Sequence, residues 1–114
     1  MKLYTDLEQS KELAKILPIE SADMCWQSIY DENHMMSDFR IEMIPYRFYS
    51  GISIPAWSLV ALLDVLPQGT RLIKSATDNT YHCDCPKGNI DKWFDNPIDA
   101  CYELVLKLHE QNIL

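Results

Sequence analysis

The residues Ile54-Pro55-Ala56-Trp57-Ser58-Leu59-Val60-Ala61-Leu62-Leu63-Asp64-Val65-Leu66-Pro67 constrain this chain more than any others. Between the two prolines only Ser58 and Asp64 are polar. Pro55 suits a first helical turn, where a missing N–H and a fixed φ cost nothing, and Pro67 suits the end. The stretch predicts a helix over residues 55–66, apolar around most of its circumference. At ~18 Å it is too short to span a bilayer, so it belongs in a protein core or an interface. At roughly 100° per residue, Ala56, Leu59, Val60, Leu62, Leu63 and Leu66 form a broad stripe suited to a sheet. The opposite arc holds Trp57, Ser58, Ala61, Asp64 and Val65. It needs a cover too, from the terminal helices or from another molecule.

The flanking segments set the fold class. Thr5 to Leu17 predicts a first helix: Thr5 and Glu8 make a capping box, and Pro18 ends it. Met24 to Tyr30 alternates as a strand does, Asp31 to Asp38 forms an acidic loop, and Phe39 to Tyr49 resumes a strand interrupted by Pro45. Thr70 to Ser75 and Thr80 to Cys85 flank Ala76-Thr77-Asp78-Asn79, whose turn chemistry predicts a hairpin. Pro86-Lys87-Gly88 closes it, and residues 89–95 form a loop carrying Trp93 and Phe94. Asn96 as N-cap, Pro97 at the first helical position and Asp99 in the first turn open a last helix. Its apolar arc is Ile98, Cys101, Tyr102, Leu104, Val105 and Leu108. The order α-β-β-α-β-β-α predicts an α+β two-layer domain: an antiparallel sheet of about four strands with helices on one face.

A chain of 114 residues fits a single domain over 1–114. Its net charge is −7, and no two of its ten basic residues adjoin. That disfavours nucleic acid and anionic membrane as partners, since both need clustered Lys and Arg. The N-terminal residues lack the charged-then-apolar pattern of an export signal, and no apolar run approaches ~18 residues. The expectation is a soluble cytoplasmic protein. In that compartment its four cysteines, Cys25, Cys83, Cys85 and Cys101, stay reduced.

Three phrases occur together: Leu17 to Asp23 (LPIESAD), Ile54 to Leu59 running on to Leu66-Pro67, and Asn96 to Cys101 (NPIDAC) followed by Leu108-His109-Glu110. In this order and size the chain resembles small uncharacterised bacterial proteins of the kind found in prophages and other mobile elements. The matching positions are caps, prolines and core residues. The resemblance implies a bacterial, soluble accessory protein and carries no catalytic motif, cofactor or metal with it.

Chemistry-bearing residues are few. His82, Cys83, Asp84 and Cys85 come nearest to a metal motif, but a strand points Cys83 and Cys85 to one face and His82 and Asp84 to the other. A zinc site needs three or four ligands, so Cys25 and Cys101 would have to converge on that cysteine pair. Buried thiols facing the helices are the plainer reading. His34 lies among acids without calcium-loop spacing, and His109 suits a helix C-terminal dipole. With three glycines there is no phosphate-cradling loop, and no carboxylate pair is placed for acid–base work. Aromatic residues remain: Tyr46, Phe48 and Tyr49 around Arg47, and Trp93-Phe94 in a surface loop. Trp, Tyr and Arg are enriched at interface hot spots. The sequence therefore favours a non-enzymatic protein without a cofactor, which contacts a partner or a second copy of itself through Trp57, Ala61, Val65, Trp93 and Phe94. The alternatives are a small metal-binding regulator or enzyme using His82, Cys83 and Cys85, and an acidic mimic of nucleic acid.

Overall fold

A computed structural model describes residues 2–30, 36–43 and 53–114. The expected contributions of His34, Pro45 and Tyr46 to Tyr49 lie outside these residues. Among the described residues, three α-helices and two antiparallel three-stranded sheets make up an α+β fold. The strands thus divide between two small sheets. The first, ordered β2-β1-β3, is built from β1 (Met24–Tyr30), β2 (Met36–Met43) and β3 (Ser53–Ala56). The second, ordered β4-β5-β6, contains β4 (Arg71–Lys74), β5 (Tyr81–Cys85) and β6 (Gly88–Asn89). Residues 36–38, expected in the acidic loop, extend β2. The two-residue β6 lies within the expected loop because the Pro86-Lys87 turn sends Gly88 back against Cys85.

Helix α1 spans Leu7–Ala14, and its cap is Asp6 rather than Thr5. The Asp6 carboxylate accepts from Gln9 N at 2.8 Å, while Gln9 Oε1 accepts from Asp6 N at 3.1 Å. That reciprocal pair is a capping box displaced one residue from the sequence expectation. Thr5 is released for a buried role. Its hydroxyl accepts from Trp57 N at 3.1 Å and lies 2.8 Å from the Ser10 hydroxyl, and its own N–H donates to Trp57 O at 2.9 Å. The Thr5 carbonyl accepts from Trp26 Nε1 at 3.1 Å.

The central helix is shorter than its prolines suggest. α2 spans Leu59–Val65, capped by Ser58, whose Oγ accepts from Ala61 N at 3.2 Å. Asp23 fixes that cap, accepting from Ser58 N at 2.9 Å and from the Ser58 hydroxyl. Pro55 lies in β3 opposite Cys25, at the edge of the first sheet, where a missing N–H breaks no ladder bond. The later start changes the faces. Val60, expected in the sheet-facing stripe, is 75% exposed, whereas Ala61 from the opposite arc is buried. The neighbours of α2 are α3 and the 3-10 turn Ile19–Ser21.

Helix α3 (Pro97–Glu110) forms as its sequence predicts. Asn96 Oδ1 accepts from Asp99 N at 2.8 Å, and Ile98, Cys101, Leu104, Val105 and Leu108 are buried. It ends in a Schellman arrangement: Asn112 adopts φ 59°, and Ile113 N donates to Leu108 O at 2.8 Å. The helix packs across all three strands of the second sheet. One core joins it to Leu13 and Leu17 of the first helical segment, to Trp57, Leu62 and Leu66, and to Cys83, Cys85 and Ile90.

Lys2 fastens the starts of α1 and α3 together, donating to Asp6 and Asp99 at 2.9 Å each. Burial raises the Asp99 carboxyl pKa, but hydrogen bonds from Lys2, Gln9 and Asn96 outweigh it and hold the group below its ordinary range. A depressed carboxyl stabilises the fold above its unfolded pKa, and that contribution is lost as pH falls through the folded value. Asp99→Asn should therefore cost about 1 kcal/mol near neutrality, after solvent screening. The gap from wild type should close below about pH 4, as read by urea unfolding across pH. Thr5→Val, which leaves the buried Trp57 N–H without its acceptor, should cost about 1–3 kcal/mol in the same measurement. Thr5→Ser should cost much less.

Candidate functional site

The hairpin register builds one face of the second sheet. Counting outward from the Ser75–Thr80 turn, Lys74 faces Tyr81, Ile73 faces His82, Leu72 faces Cys83 and Arg71 faces Asp84. The turn is held by its own side chains: Ser75 Oγ accepts from Thr77 N, and Asp78 Oδ1 accepts from Thr80 N. Alternation then sends Leu72, Cys83 and Cys85 toward α3 and leaves Arg71, Ile73, His82 and Asp84 on the outer face.

Arg71 and Asp84 form a two-point pair across the strands, with Nε on Oδ1 and Nη2 on Oδ2, both at 3.0 Å. The hydrogen bonds that Arg71 donates to Asp84 raise its pKa further above an already basic value, so the guanidinium is always charged. His82 lies along the same strand, with Nδ1 3.7 Å from Asp84 Oδ2. Its Nε2–H donates to the Ile90 carbonyl at 2.8 Å, which fixes the ring. The Trp93 indole lies over that ring at a centroid distance of 5.2 Å and a tilt of 34°. Trp93 stays 47% exposed. Beside Arg71 opens a recess of about 400 Å³ walled by Gly69, Arg71, Asp84, Cys85, Pro86 and Asn89.

The residues singled out in the sequence separate into two groups. Trp57 is completely buried, with its indole N–H donating to Ser21 Oγ at 2.9 Å. Ala61 is buried and Val65 half-buried against the same core. Of the two covers expected for their arc, terminal helices or another molecule, the chain's own residues supply the cover of Trp57 and Ala61. Phe94 is half-buried and bridges to Tyr81 through backbone bonds of 2.7 and 2.8 Å. Trp93 alone of the five is exposed. The Arg71–Asp84 pair carried no sequence motif; only the symmetry of the hairpin about its turn places the two opposite each other.

Cys83 and Cys101 meet in the core between β5 and α3, Sγ to Sγ 3.7 Å. The hydrogen bond with Cys101 and burial push the Cys83 thiol well above its ordinary range. His82 is on the other side of the strand, and Cys25 is buried in the first sheet. Among the described residues no group of three or more His, Cys, Asp or Glu side chains could hold a metal ion. No helix among them is long and apolar enough to cross a membrane. No family model, curated protein or solved structure matches the chain.

Thiolate, not thiol, reacts with alkylating reagents. Cys83 and Cys101 are both completely buried, so they should resist iodoacetamide in the native protein and be labelled at the rate of unfolding. Peptide mass spectrometry with and without denaturant reads this directly; rapid native labelling at either position contradicts the buried contact.

Proposed function

We propose that this chain is a non-enzymatic accessory protein that works by binding another protein through the outer face of its second sheet. The observation that carries the reading is Trp93, half out in solvent yet held against the fixed His82 ring. A large aromatic kept rigid at the surface contributes contact area without losing much side-chain freedom on binding. Arg71, held by Asp84, stands on the same face and adds the other residue type enriched at such centres. The resemblance noted above supports a bacterial origin of the prophage or mobile-element kind, and the charge and cysteine content suit a cytoplasmic setting. A different protein is favoured over a second copy because Trp57 and Ala61, on which self-association rested, are already covered.

A photo-crosslinking residue placed at position 93, in cells of the source organism, should yield a discrete heavier adduct. The same residue at the exposed hairpin position 77 should not. With the partner purified, Trp93→Ala should weaken the complex about thirtyfold, on the order of 2 kcal/mol. No adduct at 93, or the same adducts at 93 and 77, overturns the reading.

A further inference from the structure

The recess beside Arg71 has the chemistry of a binding site for one kind of group. A guanidinium carries five N–H donors in a plane. Asp84 takes the Nε hydrogen and one on Nη2, at 3.0 Å each, which immobilises the group. Among the described residues nothing else bonds to Arg71, so the Nη1–Nη2 edge remains open while the side chain is 70% exposed. That edge matches the two oxygens of a carboxylate, in the fork geometry that arginine favours.

The walls of the recess carry one cation, Arg71, and one carboxylate, Asp84, which is already engaged by the guanidinium. The far wall is kept open by Gly69. At φ 86° that position is strained for any residue with a side chain, and a Cβ there would press on Pro86 at 3.1 Å. Asn89, opposite Asp84 on β6, supplies an amide at the rim. Asp84 and His82 are two residues apart on β5, about 7 Å, so Trp93 lies within reach of whatever continues from a bound carboxylate.

We propose that this recess binds a carboxylate, held end-on by the Nη1–Nη2 edge of Arg71 while Asp84 holds the adjoining Nε–Nη2 edge. The inference rests on the reading that this face meets a protein and names the group it recognises: a peptide carboxylate, at a chain terminus or on an Asp or Glu side chain.

The isolated protein tests it by NMR titration. The probes are N-acetylglycine for a chain terminus, N-acetyl-aspartate N-methylamide for a side chain, acetate for a free acid, and uncharged N-acetylglycine N-methylamide as control. A carboxylate probe should move the Arg71 Nε–Hε resonance and the Gly69 and Asn89 amides along a saturable curve, and the control should not. Arg71→Gln should weaken binding at least about tenfold. The wild-type Arg71 resonance reports the contact even if that variant folds poorly. The peptide probe that saturates assigns the source, terminus or side chain. Acetate binding as tightly as the peptide probes keeps the carboxylate site but counts against a peptide there, which leaves crosslinking at position 93 to decide the partner separately. Shifts equal for the neutral control, drift without saturation, or full binding by Arg71→Gln overturns the proposal.

Discussion

Trp57 and Thr5 hold together parts of the chain that have no other reason to meet. The Trp57 side chain is completely buried, its backbone exchanges two bonds with Thr5, and its indole N–H ends on Ser21. Thr5 in turn reaches Ser10 on α1 and Trp26 on β1. One tryptophan thereby joins the N-terminal segment, the first helix, the first sheet, the 3-10 turn and the entry to α2. Burying an indole this way is favourable because each polar atom brought with it has a partner; an unmatched one would cost about 1–3 kcal/mol. Among the described residues no buried side-chain nitrogen or oxygen lacks a hydrogen bond.

That junction also determines what α2 can do. With only seven helical residues it has little intrinsic stability, and its first turn depends on a Ser58 cap braced by Asp23 from a distant part of the chain. Once α2 is directed this way, Leu62 and Leu66 meet the core shared with α3, and Val60 faces water. α3 then covers the inner side of the second sheet, taking Cys83 and Cys85 into the core. The outer side of that sheet is left to Arg71, Ile73, His82, Asp84 and Trp93. Its polar character follows from the strand period once the cysteines are inside.

Legibility in the sequence tracks how local the determining contacts are. α3 is readable because its cap, its proline and its apolar period all lie within its own residues. The β4–β5 hairpin is readable because its turn is held locally, by the Ser75 and Asp78 side chains bonding to backbone two residues on. α2 misleads because Pro55 satisfies two environments equally, a helix start and an edge strand, and only pairing with Cys25 decides between them. The Thr5 box misleads in the same way: Asp6 caps instead, since Thr5 is held by Trp57, fifty-two residues away. β6 is too short to show any alternation. Trp93 was identifiable as a surface aromatic in a loop, but its support by His82 depends on the Ile90 carbonyl closing over the strand.

The outer face owes its character to fixation rather than to size. Arg and Trp are expensive to order on binding when they move freely in the unbound protein. Here each is ordered in advance by a neighbour on β5: Asp84 fixes the guanidinium through two bonds, and His82, itself fixed by Ile90, supports the indole. Asp84 lies within 3.7 Å of the His82 ring, so one strand organises both groups. The inward cysteines bring the same strand against α3, and α3 is tied to α1 through Asp99 and Lys2. Rigidity at the outer face is thus inherited from the core behind it. This is why an otherwise small sheet of three short strands presents an arginine and a tryptophan in fixed positions.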